Sequence, residues 1–102
     1  MKIYTKEDLK DERWVIRRAA YRALGYNEQA LKDGGWLVRL EAYRTLGFTE
    51  QALRDEESYI SQEAETYLNF MNDTNIENAP MYLNDENEII ALAAKHMLEK
   101  GI

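Results

Sequence analysis

Two sets of three residues recur at one spacing. Trp14, Arg17 and Tyr21 are followed, 22 positions on, by Trp36, Arg39 and Tyr43. These residue types combine a large apolar body with hydrogen-bonding tips, and they are enriched at the energetic centres of protein interfaces. Their chemistry is recognition rather than catalysis. The chain offers little else to a reaction. His96 is its one histidine, cysteine is absent, and no glycine-rich phosphate loop occurs. Acid–base, thiol and zinc–thiolate chemistry therefore lack their usual carriers, and neither an enzyme nor a cofactor site is expected. The string DTNIEN at 73–78 begins like a calcium loop. Asn78 stands where the turn glycine belongs and Asn84 where the bidentate Glu belongs, so no metal site is expected either. His96, in a helical frame beside Met97 and Leu98, is expected at a surface or boundary.

The six residues lie in a duplicated phrase. Residues 14–33 read WVIRRAAYRALGYNEQALKD and residues 36–55 read WLVRLEAYRTLGFTEQALRD, identical at 12 of 20 positions. The phase extends outward. Tyr4, Tyr26 and Phe48 are in register, as are Leu9, Leu31 and Leu53, then Asp11, Asp33 and Asp55. Thr5, Asn27 and Thr49 suit the N-caps of short helices. Longer helices follow, with stripes Ile16–Ala20–Leu24, Val38–Ala42–Leu46 and Ile60–Ala64–Leu68. Steps of four mark one buried helical face. Gly25 and Gly47 fall where a left-handed terminating residue belongs. Asp85 precedes Ile90 by five residues, as Asp11 precedes Ile16, so a fourth copy follows with Ala94 and Leu98.

The expected fold is all-α. It is a single domain, 1–102, built as a short right-handed stack of about four two-helix repeats. These cover about 4–25, 26–47, 48–69 and 78–102, with an Asn-rich loop insert at about 70–80 and a possible extension of the third long helix. On a helical wheel centred on Ile16, Ala20 and Leu24, Trp14, Arg17 and Tyr21 fall together off the core face. Trp36, Arg39 and Tyr43 repeat the placement. The aromatics either pack beneath the short helices or form a contact surface. In the third repeat Ser58 and Glu65 hold the equivalent positions, which suits a surface confined to the first two copies.

The string Asp-x-x-x-x-(Val/Ile)-Arg-x-x-Ala-x-x-x-Leu-Gly is carried by Asp11, Ile16, Arg17, Ala20, Leu24 and Gly25. It recurs in Asp33, Val38, Arg39, Ala42, Leu46 and Gly47. It resembles the HEAT-like repeats also found in phycobilisome lyases, and the short first helix with the 22-residue period is similar to the leucine-rich repeat variant. The resemblance covers nearly the whole chain. It implies a superhelical protein-interaction scaffold, with Asp11, Asp33, Asp55 and Asp85 forming a hydrogen-bonded ladder with Arg17 and Arg39. Ser61 and Ala91 replace the arginines in the last two repeats. On physical grounds each Asp also suits a helix cap.

Charge is divided along the chain. Residues 1–54 hold 11 Lys/Arg against 8 Asp/Glu, and residues 55–102 hold 2 against 11. Glu56, Glu57, Glu63, Glu65, Asp73, Glu77, Asp85, Glu86 and Glu88 form an alternative acidic surface. It would suit a small inhibitor that imitates nucleic-acid charge, as phage-type anti-defence proteins do, or it is ordinary solubilising charge. Nucleic-acid binding through the basic half is a weaker reading, because acidic residues are interleaved there. The halves also suggest head-to-tail self-association. No apolar run is long enough to span a membrane and no secretory h-region opens the chain, so a cytoplasmic protein with a protein partner is expected.

Overall fold

Every regular element of the structure, a computed structural model describing residues 2–101, is helical. Ile102, the end of the fourth expected repeat, lies outside the described residues. Short and long helices alternate as the repeat predicts. The α-helices are α1 (Trp14–Leu24), α2 (Trp36–Leu46), α3 (Glu50–Leu53), α4 (Ser58–Asp73) and α5 (Glu88–Lys100). Short 3-10 helices Lys6–Lys10, Ala30–Lys32 and Ile76–Tyr82 precede α1, α2 and α5, and α3 takes that place before α4. The chain clusters into two compact units, one ending at Leu46 and the other beginning at Gly47. Among the described residues, no helix is long and apolar enough to cross a membrane.

One device starts all four long helices. The carboxylates of Asp11, Asp33, Asp55 and Asp85 accept the backbone N–H of the second residue downstream, Arg13, Gly35, Glu57 and Asn87, at 2.8–2.9 Å. This is an Asx turn, a side-chain imitation of a backbone turn. It corrects the expected cap by two positions. Arg13, Glu57 and Asn87 are the N-cap residues of α1, α4 and α5, and each Asp holds the N-cap's own N–H.

In the first unit the core consists of Tyr21, Ala30, Val38 and Ala42, with Leu9, Tyr26 and Leu31 packed against it. Tyr21 and Tyr26 stack, with centroids 5.6 Å apart and planes at 13°. The expected stripe of α1 is therefore rotated. Ala20 and Tyr21 are buried, Ile16 is half-buried and Leu24 is exposed. The wheel had no means of counting an aromatic as core, and the buried sector is centred between Ala20 and Tyr21.

The second unit buries Ile60, Ala64, Tyr67 and Phe70 of α4 and Ile89, Ala93, Ala94, His96 and Met97 of α5. Because α5 meets both α4 and the 3-10 helix Ile76–Tyr82, two adjacent stripes of it are covered, and Leu98 is left exposed. The expected loop at 70–80 is mostly helical. Asn69 stands where Gly25 and Gly47 end the earlier repeats, so nothing stops α4 before Asp73. The 3-10 helix is then pinned back by an edge-to-face contact of Phe70 with Tyr82, centroids 5.2 Å apart. Gly25 itself has φ 105° and ψ 140°, a conformation open to glycine but outside the left-handed helical basin expected for it. Gly101, at φ 69° and ψ 31°, is the left-handed terminator, and its N–H bonds to the Met97 carbonyl at 2.9 Å.

His96 is buried, not at a boundary. Its Nδ1 is hydrogen-bonded to the Tyr67 hydroxyl at 2.7 Å. Burial lowers the imidazole pKa below its ordinary 6.5, and Lys100 and Lys95 lower it further against the opposing pull of Glu99. Burial likewise pushes the Tyr67 phenol up to about 12. The folded state therefore binds the His96 imidazolium proton more weakly than the unfolded state does. Stability is fully present above about pH 6.5 and falls as the pH drops from there toward the folded pKa. Thermal melts between about pH 7.5 and 5.5 are expected to show a falling midpoint. His96→Phe should flatten that slope while lowering stability throughout by about 1–3 kcal/mol, because the Tyr67 hydroxyl loses its partner.

A candidate interaction face beside a clamped turn

Asp33 organises the turn between the two copies. One carboxylate oxygen accepts the Gly35 N–H at 2.8 Å. The carboxylate also receives Nε and Nη2 of Arg17, each at 2.9 Å, in a forked pair. The Arg17 side chain is 17% exposed and that of Asp33 6%. The Nη1 of Arg17 turns the other way, to the backbone carbonyls of Asp11 at 2.8 Å and Glu12 at 3.0 Å. One guanidinium thus ties the turn before α1 to the turn before α2. The bond from Asp33 holds the Arg17 pKa above its already high ordinary value. Arg39 repeats the backbone half of the arrangement, its Nη1 reaching the Asp33 carbonyl at 2.8 Å. Both arginines placed on a binding surface by their spacing are thus engaged in holding turns.

Tyr21 and Tyr43 are buried and present no contact area. That corrects their placement on the surface: the buried sector of α1 is rotated as described above, and that of α2 keeps Val38 and Ala42 and widens to take in Tyr43. Only Trp14 (39% exposed) and Trp36 (36%) of the six reach solvent substantially. They sit at the first positions of α1 and α2 and line, with Gly35 and Leu37, a pocket of about 220 Å³. Gly35 keeps that turn uncrowded. A methyl group on it would lie 3.1 Å from the Trp14 Cβ, 3.3 Å from the Asp33 carboxylate and 3.4 Å from the Arg17 guanidinium. The sequence signal for this was the pair Gly34–Gly35, which replaces Glu12–Arg13 of the first copy.

A second cluster arises where the copies differ. Leu40 and Glu41 of α2 stand in register with Arg18 and Ala19 of α1. Glu41 pairs with both Arg18 and Arg22. Burial works to raise the Glu41 pKa, but hydrogen bonds from Arg22 and Arg18 outweigh it and hold the carboxyl at about 2. The Tyr26 hydroxyl lies buried beside this cluster without a well-formed hydrogen bond to the described residues, and burial raises its pKa first of all.

The acidic residues divide by role. Asp85 holds a helix start, and Glu57 caps α4. Glu63 is half-buried, and Glu56, Glu65, Asp73, Glu77, Glu86 and Glu88 are exposed. Among the described residues, no group of three or more His, Asp or Glu side chains is placed to hold a metal ion.

The Arg17–Asp33 pair gives the first test of the face. Arg17→Met should cost about 3–5 kcal/mol in chemical denaturation, because it strands a carboxylate that is almost fully buried. Arg17→Lys should recover only part of the loss, since an ammonium cannot reproduce the fork. An Arg17→Met protein as stable as the wild type would remove the clamp from the account. Comparisons of the chain with protein-family models, with curated proteins and with solved structures find no match.

Proposed function

We propose that the chain is a noncatalytic protein-binding module, a short right-handed α-solenoid of HEAT-like repeats that grips an apolar side chain of a partner between Trp14 and Trp36. The single observation carrying this reading is the exposure of two tryptophans at the rim of one pocket. A tryptophan left more than a third open forgoes burial free energy worth about 25 cal/mol per Å² of apolar surface. The pocket floor is the Gly35 turn, held by the Arg17 clamp, so little ordering remains to be done on binding. The alternation of short and long helices and the fourfold Asx turn support the solenoid part of the reading. Sealing by stacked neighbours is the usual reason for such a repeat.

The test separates packing from binding. Peptides selected from a random library against the wild-type protein should carry a bulky apolar residue and lose at least about tenfold in affinity for Trp14→Ala and for Trp36→Ala. Both variants should keep a cooperative melt, losing about 1–2 kcal/mol as half-exposed groups. Unfolding of both variants, or peptide binding that ignores both, would remove the proposal.

A further inference from the structure

The face of α1 carrying Val15, Arg18, Ala19, Arg22 and Ala23 borders an open groove of about 390 Å³ that, among the described residues, α1 alone lines. Val15 is 53% exposed and Ala23 is exposed. The helix carries Arg17, Arg18 and Arg22 and no acidic residue. Arg18 and Arg22 share the single carboxylate of Glu41, so that cluster keeps a net charge of +1. The unit ending at Leu46 holds 10 Lys/Arg against 7 Asp/Glu, a balance of +3.

The other unit has the complementary character. It holds 3 Lys/Arg against 12 Asp/Glu, a balance of −9, and residues 55–94 contain ten Asp/Glu and no Lys or Arg at all. Within that run, segment 76–88 exposes Ile76, Met81 (78%) and Leu83 together with Glu77, Glu86 and Glu88. Apolar side chains set among exposed carboxylates match an apolar groove edged by arginines. Charge complementarity of this kind steers encounter and fixes the choice of partner.

We propose that the occupant of the α1 groove is segment 76–88 of a second copy of this chain. The two faces are different, so the contact is heterologous and a bound pair still offers one unused face of each kind. Association then continues into chains or closes into rings. The residues involved are not those of the Trp14–Trp36 pocket, so this contact and the peptide-binding role stand or fall separately.

The test uses two substitutions at exposed positions, Val15→Asp on the groove and Met81→Asp on the segment, with circular dichroism to confirm helicity. Neither replaces Arg18, Glu41 or Arg22; the carboxylate at position 15 stands one turn from Arg18 and occupies its side of the groove, and an acidic residue in the first turn of α1 favours the helix. By sedimentation or light scattering in about 20 mM salt, the wild-type mass should rise with concentration. It should return to the monomer in about 500 mM salt, where the Debye length shrinks to a few ångströms. Each variant alone should remain monomeric. A 1:1 mixture should form a two-chain species and nothing larger, because only one wild-type junction can be made. A wild type that stays monomeric at low salt overturns the proposal. So does association that survives either substitution, or a mixture that fails to dimerise.

Discussion

Asp33 is the residue on which the first unit depends. It meets the Gly35 N–H, the forked face of Arg17 and, through its carbonyl, Arg39. Removing a carboxylate and a guanidinium from water is costly, and the attraction between them offsets the cost only when further hydrogen bonds complete both groups. Here they do. The remaining Arg17 N–H groups reach the carbonyls of Asp11 and Glu12, which no helix would otherwise satisfy. One pair therefore fixes two turns, and the turns fix where α1 and α2 begin. Trp14 and Trp36 occupy those first positions, so the geometry of the pocket follows from the pair.

The second unit solves the same problem with different chemistry. Ser61 and Ala91 offer no guanidinium. The Asx turns at Asp55 and Asp85 persist, while the link between long helices α4 and α5 is the buried Tyr67–His96 hydrogen bond. Phe48 packs against Tyr67 at 5.2 Å between centroids, and the Tyr67–His96 rings meet edge to face at 5.7 Å. An arginine clamp is insensitive to pH across the physiological range, because guanidinium does not titrate there. The ordinary imidazole pKa does lie close to that range, and burial holds that of His96 below its ordinary value. The two units share a repeat and differ in what can disturb them.

Legibility in the sequence follows from how local each interaction is. The alternation of helices follows from periodicity and could be read in advance; the aspartates could be placed at the helix starts, but as caps rather than as Asx turns two residues earlier. Gly25 and Gly47 announced stops, and the absence of one at Asn69 was the unread sign that α4 runs on to Asp73. The roles of Tyr21 and Tyr43 were not legible in this way. A wheel ranks positions by their neighbours on one helix, and these tyrosines are buried by groups outside it, as the Tyr21–Tyr26 stack shows. The same limit hid His96, whose partner is 29 residues away. For the arginines, the residue types suggested recognition, and the family resemblance suggested a ladder with the aspartates. The Arg17–Asp33 pair joins an arginine of α1 to the aspartate that starts α2.

A perfect repeat would carry no information beyond its architecture, because every position would answer to the same stacking rule. The departures are therefore the more instructive positions. Glu12–Arg13 becomes Gly34–Gly35, and at 35 a side chain would crowd Trp14, Asp33 and Arg17, whereas at 34 it would meet open space. Arg18 and Ala19 become Leu40 and Glu41, and that exchange creates the ion pairs between α1 and α2. The first departure leaves an open pocket between two tryptophans. The second sets a carboxylate of α2 against Arg18 and Arg22, two of the residues that edge the α1 groove. Both surface features adjoin positions where the second copy stops imitating the first. Divergence within the duplicated phrase, rather than the phrase itself, shapes what this unit can present to another molecule.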